Sequence, residues 1–172
     1  MPTLTESTAA LAGKYMGFKL GAENYGIAIL KVQEIIGLME ITAVPRTADY
    51  VCGVINLRGK VIPVIDLRLK FGMSARPATE LTCIMVVQVA MNQDLVTMGV
   101  MVDEVSEVMD IRAENVEPAP PLGDTEASRF LLGVGKFQKN VVLLLDMDSI
   151  LSRSEMTRIG AMSDESSPCS VV

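Results

Sequence analysis

A mainly β chain built from two similar small barrels is the fold class this sequence predicts. Three observations predict it. Strand-length apolar runs recur with turn residues about every eight to twelve positions, the pattern of small β-barrels or a sandwich. The second half repeats the first. Gly26-Ile27-Ala28-Ile29-Leu30-Lys31-Val32-Gln33-Glu34-Ile35-Ile36 aligns with Gly99-Val100-Met101-Val102-Asp103-Glu104-Val105-Ser106-Glu107-Val108-Met109, with Gly, Val and Glu kept in place. Tyr50 to Val54 then matches Phe130 to Val134, and Val61 to Asp66 matches Val141 to Asp146, so a shared Gly and a shared Asp stand 13 apart in both copies. Finally, 49% of the 172 residues are hydrophobic, yet no run approaches the roughly 18 apolar residues of a membrane span. Such a chain must bury strands on both faces or cover its surfaces with partners.

The elements follow in order. Residues 1–13 read as a loose polar leader with neither the basic nor the apolar region of a signal peptide. Tyr15 to Leu20 and Tyr25 to Ile29 are strands joined by the turn Gly21-Ala22-Glu23-Asn24. Leu30 to Ile36 is ambiguous, since Val32, Ile35 and Ile36 suit a helical turn while β-branching favours a strand. Tyr50 to Leu57 and Val61 to Asp66 form a hairpin around Arg58-Gly59-Lys60. Leu67 to Phe71 is a helical turn stopped by Gly72, and Met73 to Glu80 a loop. Leu81 to Ala90 is a long buried strand, turning at Asn92-Gln93-Asp94 into Leu95 to Val102. The second copy is expanded by seven residues between Asp110 and Arg129, around a loop at Pro118 to Asp124. Asp148 is placed to cap a C-terminal helix over 148–160, followed by a polar tail over 161–172. The chain thus divides into repeat cores of about 15–70 and 81–150 within one domain of 14–160. Units of roughly 70 residues are marginal alone, so the repeats pack on each other or exchange strands.

Composition narrows the function classes. Fifteen basic against 21 acidic residues give a net charge of −6, which disfavours nucleic acid and anionic membrane as partners. Aromatics make up 4% with no Trp, which removes the usual stacking platform. The chain has no histidine, so Ser-His-Asp and Cys-His catalysis and imidazole metal ligation are excluded. Cys52, Cys83 and Cys169 lack metal-site spacing and fit free thiols of a reducing cytoplasm.

What one copy has and the other lacks is the candidate for function. Between the matched strands the first copy reads Ile55-Asn56-Leu57-Arg58-Gly59-Lys60 and the second Gly135-Lys136-Phe137-Gln138-Lys139-Asn140. Gly59 suits positive φ at a tight turn, Asn56 can fix the tip by bonding nearby backbone, and Arg58 is then presented as a planar fork of five donors. On local sequence alone, Arg58 reads first as an exposed hairpin arginine of no consequence. Asp103, Glu104, Glu107 and Asp110 alternate with valines and read as a solvated strand face rather than a calcium or magnesium loop. Asp66 and Asp146 recur in both copies, which points to a structural task, ending a strand and capping the next turn.

The run Tyr50-Val51-Cys52-Gly53-Val54-Ile55-Asn56-Leu57-Arg58-Gly59-Lys60-Val61-Ile62-Pro63-Val64-Ile65-Asp66-Leu67-Arg68 resembles the hallmark segment of the CheW family of chemotaxis coupling proteins. Leu20-Gly21, Tyr25-Gly26-Ile27, Val32-Gln33-Glu34-Ile35, Val102-Asp103 with Val105, and Glu117-Pro118 match as well, in family order from about Tyr15 to Leu151. The resemblance implies two five-stranded barrels of Src-homology-3-like or OB-like form, packed together. It implies no catalytic residue, no metal and no cofactor. It implies a cytoplasmic, non-enzymatic scaffold of a two-component system, associated with membrane-anchored chemoreceptor arrays. Such an adaptor joins the cytoplasmic tip of methyl-accepting chemoreceptors to the regulatory domain of the histidine kinase CheA, and other CheW-like domains are further ring partners. Mapped by motif, the receptor-contacting residues are Ile29, Val32, Glu34, Asn56, Leu57, Arg58 and Cys83, with Glu34 the acid placed to pair with Arg58. The kinase-facing residues are Leu38, Cys52 and Gly53. An adaptor of a chemosensory array for surface motility or development fits the same residues. A small-ligand-binding barrel is the reading from another class, and it lacks pocket aromatics.

Overall fold

Apolar residues occupy both faces of the middle strands, and the fold uses both faces. The computed structural model describes residues 11–74, 76–91, 94–118 and 130–150. Among these described residues eleven strands carry it: β1 (Gly13–Leu20), β2 (Glu23–Ala28), β3 (Val32–Gly37), β4 (Val51–Leu57), β5 (Lys60–Asp66), β6 (Cys83–Met91), β7 (Asp94–Val102), β8 (Glu104–Ile111), β9 (Val116–Pro118), β10 (Leu131–Phe137) and β11 (Asn140–Leu145). Two short helices, α1 (Leu67–Lys70) and α2 (Met147–Ile150), follow β5 and β11. Successive side chains of a strand point to opposite faces, and β6 shows the consequence. Ile84 and Val86 join Ile55, Ile62 and Val64 in one core. Met85, Val87 and Val89 turn the other way, toward Phe18, Ile27, Met98 and Leu145. A third core gathers Tyr15, Met109, Ile111, Val116, Val142 and Leu144. Each fully buried side chain of this size contributes about 1.5–3 kcal/mol of transfer free energy. Each sheet thus has its own apolar interior, and a shared layer joins the two.

The sheets do not divide at the repeat boundary. One runs in the order β8-β1-β2-β11-β10-β9, the other β3-β6-β7-β5-β4. Each sheet therefore takes one hairpin from the opposite half of the chain: β1-β2 joins the strands of the second repeat, and β6-β7 those of the first. The exchange is symmetric to the residue. β5 lies parallel to β7 with Val64 opposite Gly99, and β11 lies parallel to β2 with Leu144 opposite Gly26, the same matched positions in both halves. The division at about 70 and 81 follows the repeat, whereas hydrogen bonding crosses it. Short units that cannot bury their own strands gain a partner face by this exchange.

Closure of the five-stranded sheet relies on a single bridge. Thr42 and Val54 exchange backbone hydrogen bonds of 2.8 and 2.9 Å. Gly53 makes this approach possible. Its φ is +141°, and a Cβ there would overlap the Thr42 carbonyl. In the other sheet, β9 does the same work with three paired residues, Val134 opposite Glu117 at the matched position.

Local differences from the sequence reading have physical causes. The first hairpin turn is only Gly21-Ala22, because Glu23 and Asn24 still pair with Leu20 and Lys19. The ambiguous segment is both things in succession, a 3-10 turn at Ile29–Lys31 and then strand β3. Strand β1 already begins at Gly13, and Leu11 packs on the third core. Asp66 caps α1 through the Arg68 N–H at 2.9 Å, as expected. In the second repeat the cap is Asp146, accepting from the Asp148 N–H at 3.1 Å, not Asp148, whose carboxylate turns instead toward Lys31 and Ala90. Asp103 does not belong to a solvated face either. Its carboxylate accepts from the Gly21 N–H and from Arg68, both at 2.7 Å. Residues 1–10 of the expected leader, Pro120 to Asp124 of the expanded loop, Cys169, the helix beyond Ile150 and the tail at 161–172 lie outside the described residues.

Candidate functional site

The β4-β5 hairpin is built to hold an arginine still. Leu57 pairs with Lys60, leaving the two-residue loop Arg58-Gly59. Both loop residues take positive φ, 54° and 85°, the primed turn whose twist matches flanking strands. Gly59 adopts it without a Cβ penalty. The Gly59 N–H donates to Asn56 Oδ1 at 2.8 Å, which locks the tip. Arg58 then reaches across to β3. Its Nη1 donates to Glu34 Oε1 at 2.6 Å and its Nη2 to Glu34 Oε2 at 2.7 Å, a bidentate fork on a carboxylate. The Arg58 bond holds the Glu34 carboxyl below its ordinary value, and Glu34 raises that of the guanidinium. Arg58 remains 72% exposed while Glu34 is 28% exposed, so the acid anchors the base and leaves its outer edge free.

Four of the receptor-contacting residues mapped by resemblance therefore converge: Glu34, Asn56, Leu57 and Arg58. Leu57 packs half-buried on the core inside the five-stranded sheet. Ile29 lies half-buried in the 3-10 turn before β3, and Val32 packs against the shared layer. Cys83 stands apart from them. It opposes Gly37, whereas Val32 opposes Val87, so Cys83 sits about 13 Å further along β6. Of the kinase-facing set, Leu38 is exposed, Cys52 half-buried and Gly53 buried. Burial, and then the Asp66 carboxylate, push the Cys52 thiol up to about 11, so it stays a neutral thiol near pH 7. Gly53 offers no side chain to any surface, and the close approach to Thr42 accounts for it.

Sequence reading missed the exposed apolar residues around these positions. Leu30 is 95% exposed, and Ile35 and Met39 also reach solvent. The signal was hidden because Ile27 to Ile36 reads as one apolar run, and nothing in it marks the 3-10 turn that lifts Leu30 outward. Among the described residues no group of three acids or thiols could hold a metal ion, and no helix is long and apolar enough to cross a membrane.

Comparison with known proteins agrees with this geometry. The CheW-like domain model matches residues 14–155. The chain is 38% identical over 158 residues to the chemotaxis protein CheW of Klebsiella aerogenes, covering 89% of this chain and 93% of that protein. It is 36% identical over 141 residues to the chemotaxis protein CheW of Helicobacter pylori, covering 81% and 82%. The crystal structure of the scaffolding protein TtCheW from Thermoanaerobacter tengcongensis superposes with a TM-score of 0.74 at 32% identity, covering 84% of this chain and 97% of that one. A duplicated β frame with an arginine-tipped hairpin in one copy, matched along nearly its whole length, belongs to the family of CheW-like domain proteins.

Proposed function

We propose that this chain is a non-enzymatic adaptor that couples the cytoplasmic tip of methyl-accepting chemoreceptors to the histidine kinase CheA. The observation that carries the reading is the Arg58–Glu34 fork, present on one hairpin and absent from its otherwise matching counterpart. A receptor tip is helical, and a helix docks by laying an apolar face against a surface with a few polar guides. Ile29, Val32, Leu57 and the exposed Leu30 supply apolar contact. Arg58, pre-oriented by Glu34 and Asn56, supplies the guide and gains strength when a partner excludes water around it. Cys83, further along β6, extends the receptor-contacting set, while Leu38 and Cys52, on the part of the sheet whose closure Gly53 allows, mark the side turned toward the kinase regulatory domain and other CheW-like domains. No bond is made or broken in this role. The chain acts in the cytoplasm, at arrays of membrane-anchored receptors.

Co-sedimentation tests the reading. The purified chain is mixed with receptor-bearing membranes and CheA. Recovery of both in the membrane pellet, dependent on the chain, is expected. A chain that stays in the supernatant with either partner contradicts the proposal.

A further inference from the structure

Two carboxylates hold matching places in the two halves but come from different parts of the chain. Asp103 lies in the crossover from β7 to β8. Its Oδ2 accepts from the Gly21 N–H at 2.7 Å, from Arg68 Nη1 of α1 at 2.7 Å and from Arg76 Nη1 at 3.3 Å. Asp148 lies in α2. Its Oδ1 accepts from the Ala90 N–H at 2.8 Å, and its Oδ2 accepts from Lys31 Nζ at 2.7 Å. Strand register makes the two amides equivalent. Gly17 pairs with the matched Gly26 and Val86 with the matched Gly99, and Gly21 and Ala90 each come four residues later. Arg68 and Asp148 are equivalent too, each two residues after the matched Asp66 and Asp146. Acid and base have therefore traded elements, helix for crossover, while a carboxylate stays on the same backbone N–H. Each cluster ties the end of an exchanged hairpin to a crossover between the sheets.

The two clusters differ in strength. Arg68 and Asp103 are only 14% and 17% exposed, and Arg68 Nε also donates to the Ser74 carbonyl at 3.0 Å. Lys31 and Asp148 are 31% and 32% exposed, and an ammonium lacks the fixed fork of a guanidinium. A half-exposed pair of this kind gains little and is screened by salt. Lys31 also closes the 3-10 turn that carries Ile29 and Leu30.

We propose that Lys31 and Asp148 are positioning residues. Their pair seats the Ile29–Leu30 turn against the end of β6 and opens when a partner engages that turn, while the Arg68–Asp103 cluster stays shut. The partner step rests on the adaptor reading above; the seating of the turn does not. Amide hydrogen exchange on the full chain tests the seating. Asp148→Asn keeps an acceptor for the Ala90 N–H and removes the charge. It should speed exchange at residues 29–32 by about threefold to fivefold while leaving Gly21 and the shared layer protected. Salt at about 0.5 M should reproduce the effect in the parent chain, and Lys31→Arg should keep the parent's protection. Unchanged exchange at 29–32 in both Asp148→Asn and Lys31→Ala, or equal acceleration throughout the chain, overturns the proposal. In the second arm, Asp148→Asn should shift receptor co-sedimentation by about threefold or more. An unshifted affinity overturns the partner step. If the parent chain itself binds no receptor, the adaptor reading and the partner step fall together, and the exchange result decides the seating alone.

Discussion

Both halves of the molecule end in the same hairpin, and only one of them carries an arginine on it. Arg58-Gly59 and Gln138-Lys139 share a two-residue loop with both residues at positive φ. The first loop needs Gly59 and Asn56 to settle its tip; the second adopts the same backbone with no glycine at either position. Arg58 locks onto Glu34 on β3, at the other edge of the same sheet, while the second hairpin's Lys136 pairs instead with Glu117 at 2.8 Å. The frame is thus set by β pairing, and the side chains set on it are free to diverge. In a duplicated fold, chemistry confined to one copy is where a partner is to be sought.

The largest expected effect breaks the closure on which the first hairpin stands. Gly53→Asp must push Thr42 away and force an aspartate into positive φ, so it should cost at least about 3 kcal/mol. Urea unfolding measures this, and the comparison sharpens it. A Cβ at the matched Gly133 would stand 2.8 Å from the Glu117 carbonyl oxygen, which also forces a shift but a smaller one, and Gly133 lacks the positive φ of Gly53, so Gly133→Asp should cost less. Equal costs would mean that the two closures are alike after all.

Next come the hairpin-to-crossover clusters. Asp103→Asn takes the charge away from one half-buried amide and two guanidinium groups and should destabilise by about 1–3 kcal/mol. Asp148→Asn should destabilise by less than about 1 kcal/mol. Thermal unfolding of the pair would reverse the proposed order of strengths if Asp148→Asn proved the more damaging.

The smallest effect is on titration. Glu34 is held below its ordinary 4.5 by Arg58. For an acid whose folded value is depressed, the stabilisation is complete above the unfolded value and is lost as pH falls through the folded one. The pair should therefore persist at pH 5 and dissolve only below about 4.5. A carbon-detected NMR titration should place the Glu34 midpoint under 4.5 in the parent and move it upward in Arg58→Ala. An unmoved midpoint would mean the fork does not form in solution.

How much of this was legible in the residues depends on how local the causes are. The duplication was legible because glycines and acids at fixed offsets survive drift, and Gly53, Asp66, Gly133 and Asp146 mark the frame. The hairpin tip was legible because Asn56 and Gly59 act within three residues of each other. The exchange of β1-β2 and β6-β7 was open but not decided, because the parallel pairings that establish it join residues far apart in the chain. Asp103 was misread for the same reason: its partners Gly21 and Arg68 lie 82 and 35 residues away, and alternation with valines imitates a solvated strand. The Arg58–Glu34 fork came from family resemblance, since nothing local to either residue names the other.

Receptor-stimulated CheA activity, measured side by side with the parent chain, Arg58→Ala and Gln138→Ala, bears most directly on the assignment of function to one hairpin. The account predicts that Arg58→Ala loses stimulation by about tenfold or more with its unfolding midpoint unchanged, and that Gln138→Ala matches the parent. Full stimulation by Arg58→Ala, or equal loss in both variants, would contradict it.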